Sequence, residues 1–217
     1  MNIAILLYDK FTALDAIGPY EVLSRLPDAT VTFVAAEAGP VRTDNGMLTL
    51  LAERSLDDMR KPDLLLVPGG PGEVAARAGG GAFDWLREAD QTSTWTTSVC
   101  TGSLILAAAG LLDGRRATTH WLAVDELRRL GAEPVDERVV FDGKLVTAAG
   151  VSAGIDMALT LAARIAGDVV AQAIQLGIEY DPQPPFDAGS PHKAPAAIVE
   201  LLRNRSRFQE VSAQAAR

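Results

Sequence analysis

The chain has one cysteine and two histidines among its 217 residues. One cysteine rules out an intramolecular disulfide, and neither His120 nor His192 stands in metal-ligand spacing, so no metal is expected. Aromatic residues make up 6% of the chain, and no stacking platform for bases is visible. Basic charge is in deficit, with 20 Lys and Arg against 28 Asp and Glu and a net charge of -8, which argues against nucleic acid as a partner. No apolar run reaches membrane-spanning length, and residues 1–9 lack the basic region and long apolar stretch of a signal peptide. The expectation is a cytoplasmic protein with no membrane attachment. No Gly-Lys-Ser/Thr ends a glycine cluster and no Gly-x-Gly-x-x-Gly follows a strand, which excludes the usual phosphate-binding loops.

What is present is enough apolar material, 48% of residues, for a substantial core. No repeat or low-complexity linker divides the chain, so one domain is expected over residues 1–195, with a C-terminal helix and polar tail over 196–217. Residues 2–8 form an almost wholly apolar run that suits a central strand of a parallel sheet. Beyond it a loop feeds a helix, with Pro19 placed in the first turn and Asp15 just outside the helix. Residues 30–36 are a second strand, and 40–50 a hairpin around Asn45-Gly46. Residues 63–67 are a strand that runs into Pro68-Gly69-Gly70-Pro71-Gly72, followed by an exposed helix at 82–91 and a strand at 95–99. A helix at 122–130 stops at Gly131, and two strands flank Asp142-Gly143. A long apolar helix opens at Gly150-Val151-Ser152-Ala153, another covers 169–178, and prolines keep 181–191 extended. Alternating strands and helices with short connections predict an α/β fold, a mostly parallel, doubly wound sheet of flavodoxin-like or Rossmann-like type.

The candidate chemistry centres on Thr96-Thr97-Ser98-Val99-Cys100-Thr101-Gly102-Ser103. A nucleophile followed two residues later by glycine, at a strand-to-helix junction, is the nucleophile-elbow arrangement. The start of a helix favours thiolate and should lower the thiol pKa. A lone cysteine is also commonly a small buried hydrophobe, and Asp15 reads equally as a capping carboxylate. Gly69 and Gly70 suit an oxyanion site or simply a tight turn. Under the inferred fold, however, Cys100, Asp15, Gly69 and Gly70 all follow C-terminal strand ends and share one edge of the sheet, where ligands of open α/β sheets gather. That convergence favours Cys100 as nucleophile, with Asp15 beside it and backbone N–H groups near Gly70 and Thr101 supporting anionic intermediates.

These residues resemble the DJ-1/PfpI superfamily, and within it the isocyanide hydratases. The likeness runs through Leu14-Asp15, Gly18 to Leu23, Val67 to Gly72, Thr97 to Leu104, Arg116 to Trp121, Gly154-Ile155-Asp156 and Pro184 to Pro191. It implies a flavodoxin-like, class I amidotransferase-like fold and a homodimer, with Cys100 as nucleophile and Asp15 as its acidic partner. It also places Val151 beside the elbow. Thr101 stands where PfpI-type peptidases carry histidine, and neither His120 nor His192 begins the His-x-Glu pair of the amidotransferases. His120 is read as making a structural hydrogen bond.

The expected activity is hydration of a small apolar isocyanide to an N-substituted formamide. A soft thiolate attacks the carbene-like carbon to give a thioimidate, Asp15 moves the proton, and no cofactor is required. Alternatives are a DJ-1-like redox protein, a glyoxalase or deglycase, and a non-catalytic sensor akin to the amidotransferase-like domains of AraC-type regulators.

Overall fold

The computed structural model describes residues 1–78 and 81–208; of the C-terminal helix and polar tail expected over 196–217, positions 209–217 lie outside the described residues. In chain order the elements are β1 (Asn2–Leu6), α1 (Ala13–Leu23), β2 (Thr30–Ala35), β3 (Gly39–Arg42), β4 (Thr49–Ala52), β5 (Arg54–Ser55) and β6 (Leu64–Val67). They continue with α2 (Glu73–Ala76), α3 (Gly81–Thr92), β7 (Trp95–Val99), α4 (Gly102–Ala108), β8 (Arg116–Ala117), a 3-10 turn (Trp121–Ala123) and α5 (Val124–Arg129). The last are β9 (Glu133–Pro134), β10 (Val139–Asp142), β11 (Leu145–Ala148), α6 (Ala153–Ala166), α7 (Asp168–Gly177) and α8 (Ala196–Asn204).

The main sheet has the order β10-β11-β7-β6-β1-β2-β5, and every neighbouring pair is parallel except β10 with β11. Its five long parallel strands, β1, β2, β6, β7 and β11, stand in the flavodoxin order 2-1-3-4-5. Side chains alternate across the pleat: Ile3, Ile5, Leu64 and Leu66 enter one core with Val22, Met157 and Leu161, while Ala4, Leu6, Leu65 and Val67 enter the other with Leu86, Leu104 and Ile105. Central strands covered on both faces leave no polar side, which is why β1 and β6 read as continuous apolar runs. The hairpin β3–β4 forms its own two-stranded sheet, as does the short pair β8–β9.

Two expectations need correction. Helix α1 begins at Ala13, so Asp15 lies inside its first turn instead of outside it, and Pro19 is the seventh helical residue. A proline there removes one helical N–H. What holds it is packing: a Cβ built on Gly154 of α6 would lie 3.0 Å from Pro19 Cγ, so the two helices meet in close contact at that point. The helix expected to be exposed, α3, is half-buried, with Trp85, Leu86 and Ala89 turned into the core.

The switch point of the sheet lies between β1 and β6, where connections leave toward opposite edges. Chain segments following β1, β6 and β7 therefore converge at one end of the sheet.

Candidate active site

Cys100 follows β7 with φ 57°, in the left-handed region that non-glycine residues seldom enter. The surrounding bonds fix this conformation. Its N–H donates to the carbonyls of Ala148 and Ala149 at 3.0 and 2.9 Å. Its carbonyl accepts from Ser103 Oγ at 3.1 Å and Thr119 Oγ1 at 3.0 Å. Gly102 is required by space: a Cβ there would sit 2.1 Å from the Val67 carbonyl oxygen of β6.

The turn after β6 meets this elbow from the side. Gly69 N–H donates to Asp15 Oδ2 at 2.9 Å, and Gly70 N–H donates to Thr101 Oγ1 at 3.0 Å. Any side chain at Gly69 would place its Cβ 2.5 Å from the Thr101 nitrogen and 2.9 Å from Asp15 Oδ2. The structure thus brings Asp15, Gly70, Cys100 and Thr101 together, and the hydroxyl of Thr101 already engages the Gly70 N–H. Val151 joins them from the loop before α6, with φ 26° and its N–H directed at the sulfur; the Thr101 N–H is the second such donor.

Asp15 is fully buried, and its Oδ1 has no partner with directed hydrogen-bond geometry. The nearby Cys100 thiol nevertheless couples to this carboxyl. Burial raises the Asp15 pKa from 3.8 to about 7, a rise moderated by the Gly69 N–H and the thiol. Burial, and then the charge of Asp15, pushes the thiol up to about 12, against the helix-based expectation of a lowered value. At the elbow, desolvation outweighs the donors from Val151 and Thr101. Neighbouring negative charges oppose one another, so the pair holds one proton above about pH 7 and gains a second below it.

His120 stands apart from this pair. Its Nδ1 accepts the Leu122 N–H at 3.3 Å at the start of the 3-10 turn, and burial lowers its pKa. Tyr8, which the sequence did not single out, donates to the Pro68 carbonyl at 2.8 Å, and its titration is coupled to Asp15 and Cys100. Cys100 itself is 5% exposed, and neither of two surface cavities of about 300 and 400 Å³ is lined by it or by Asp15. Among the described residues, no group of three or more His, Cys, Asp or Glu side chains is arranged to hold a metal ion.

A flavodoxin-like sheet carrying a strained cysteine elbow opposite a buried carboxyl defines a class of α/β proteins with a thiol at the C-terminal edge of a parallel sheet. The chain belongs to the DJ-1/PfpI family, whose model matches residues 1–164. It is 46% identical over 206 residues to the isonitrile hydratase of Pseudomonas putida, covering 95% of this chain and 90% of that one. It is 37% identical over 162 residues to the HTH-type transcriptional regulator CdhR of Pseudomonas aeruginosa, covering 73% of this chain but 48% of the regulator. A solved ThiJ/PfpI family protein from Pseudomonas syringae superposes with a TM-score of 0.93 at 37% identity, over 99% of this chain and 88% of that one.

Proposed function

We propose that this protein is an isocyanide hydratase, with Cys100 as nucleophile and Asp15 as the group that moves protons. The observation that carries the reading is the pair itself, a buried thiol coupled to a carboxyl that titrates near 7, with no imidazole acting on the sulfur. Asp15 in its ionised form takes the thiol proton, and the resulting thiolate attacks the terminal carbon of R–NC. Asp15 then returns the proton to that carbon, giving the thioimidate R–N=CH–S–Cys100. Asp15, again ionised, takes a proton from water as the water oxygen adds to the imine carbon and passes it to the nitrogen, giving R–NH–CH(OH)–S–Cys100. Collapse breaks the C–S bond, releases R–NH–CHO and restores the thiol.

The N–H groups of Val151 and Thr101 stabilise sulfur whenever it carries charge. The N–H of Gly70, already given to Thr101 Oγ1, serves by fixing that hydroxyl. His120 has a structural role through Leu122. A thiol 5% exposed favours a slim reactive end such as the linear isocyanide group over a bulky carbonyl. The single free cysteine, with no disulfide, suits a reducing cytoplasm. Exposed Val169, Leu176 and Phe186 support association into a homodimer.

The test is to incubate the purified protein with cyclohexyl isocyanide and follow formation of N-cyclohexylformamide, with methylglyoxal in parallel. Formamide release supports the hydratase reading; methylglyoxal turnover without it supports an aldehyde-directed relative. The regulator at 37% identity favours a second reading, ligand sensing. Isocyanide binding without turnover would support that one.

A further inference from the structure

The segment after α8 returns to the reactive end of the sheet. Phe208 is buried in the core that contains Leu65 and Leu104, and the Arg203 guanidinium lies 5.9 Å from the centre of the Trp121 ring. Between them Arg207 reaches the turn that follows β6. Its Nη1 donates to the Pro71 carbonyl at 2.8 Å, its Nη2 to the Gly70 carbonyl at 3.3 Å, and Nη2 also lies 3.0 Å from Glu73 Oε1. Glu73 is fully buried and takes a second ion pair from Arg77, which bridges on to Glu126. A buried carboxylate needs such partners to stay charged.

The same turn makes the contacts that arrange the reacting groups. Gly69 N–H holds Asp15 Oδ2 and Gly70 N–H holds Thr101 Oγ1. On the other side of the turn, Gly69 O accepts from Thr12 N–H at 2.8 Å and Gly70 O from Glu73 N–H at 3.1 Å. Arg207 is thus the one side chain among the described residues that bridges two successive carbonyls of this turn to the buried acid beneath it. A planar guanidinium suits two carbonyl acceptors and an ion-paired carboxylate at once; a lysine ammonium lacks that fixed fork.

We propose that Arg207 is a positioning residue for the Cys100–Asp15 pair, clamping the Gly69–Glu73 turn so that the Gly69 N–H stays directed at the Asp15 carboxylate. It touches neither reacting atom, and the inference rests on the reading that this pair does the chemistry. The charged and titratable groups acting on Asp15 are Cys100 from the elbow, Tyr8 after β1 and Asp44 from the hairpin loop. None of them is hydrogen-bonded to Arg207, but its charge acts on Tyr8; Arg207→Lys keeps that charge, so a shift retained in that variant reaches Asp15 through the backbone donor. The Gly69 N–H favours the carboxylate, and weakening it moves protonation of the pair to higher pH.

The test uses full-length Arg207→Ala and Arg207→Lys and reads the pH dependence of Cys100 alkylation by iodoacetamide. Cys100 is the only cysteine, so the rate reports one site and needs no isocyanide. Hydration of cyclohexyl isocyanide is measured alongside. In Arg207→Ala the acid limb of both profiles is expected to move up by about half a unit or more. The kcat for hydration is expected to fall about tenfold, with a smaller change in KM. Arg207→Lys keeps a charge for Glu73 and should return Tm toward wild type while retaining most of the limb shift. Should Arg207→Ala not fold, Arg207→Lys alone decides.

Profiles of folded variants that superimpose on wild type would overturn the proposal, whatever happens to Tm. A shifted alkylation limb in a protein that does not hydrate isocyanides would leave Arg207 in place and remove the hydratase reading. Hydration with an unmoved limb would do the reverse.

Discussion

Asp15 carries two consequences of one burial. Its carboxyl titrates near 7 instead of 3.8, so below about pH 7 the pair gains a second proton and no base remains to take the thiol proton. Turnover is expected to fall on the acid side of about pH 7, and a pH–rate profile flat down to pH 5 would remove Asp15 from the proton-transfer role. The same shift bears on stability. Between about pH 4 and 7 the folded state keeps a proton that the unfolded state releases, so stability falls as pH rises through that window. Asp15→Asn should therefore cut turnover while stabilising the fold at pH 8 by on the order of 2 kcal/mol, read as a raised Tm. Cys100, Thr101 and Gly70 were legible because each lies within three residues of a strand end, and Asp15 because it follows β1 in the connection to the next helix. Tyr8 and Arg207 were not, since their bonds join residues 60 and 136 positions away and leave no local pattern.

The elements around the elbow meet through glycines, and this closeness sets what the junction tolerates. Gly102→Ala would by helix propensity gain about 1 kcal/mol in α4. Steric conflict decides otherwise, because the new Cβ would fall 2.1 Å from a backbone oxygen of β6 that cannot rotate away. The expected result is a loss of about 3 kcal/mol in a denaturant melt, together with loss of selective Cys100 alkylation. A variant as stable and as reactive as wild type would contradict the interlocked elbow. Elements such as β1, β7 and α6 could be read from apolar or β-branched runs. The two-residue strands β5, β8 and β9 could not, being too short to show a period. Pro19 misled because the first-turn preference is local, whereas its place in α1 is set by packing against α6.

For the whole molecule, alternation of strand and helix predicts a doubly wound parallel sheet but leaves its flavodoxin or Rossmann order open; the observed order is the flavodoxin one, and the site gathers at its switch point. What sits on the outside was less legible. Val169 is 81% exposed and Leu176 78%, seven residues apart on α7 and so on one face of that helix. Light scattering on a size-exclusion column is expected to give a dimer mass, and Val169→Lys with Leu176→Lys to give a monomer. A wild-type monomer at micromolar concentration would count against the dimer. The most direct measurement is mass spectrometry of protein quenched during turnover of cyclohexyl isocyanide, run beside Cys100→Ala. The expected result is a mass gain of one isocyanide on the Cys100 peptide, with formamide produced by wild type and none by the folded Cys100→Ala variant. Formamide formed at the wild-type rate by Cys100→Ala would contradict covalent catalysis at this elbow.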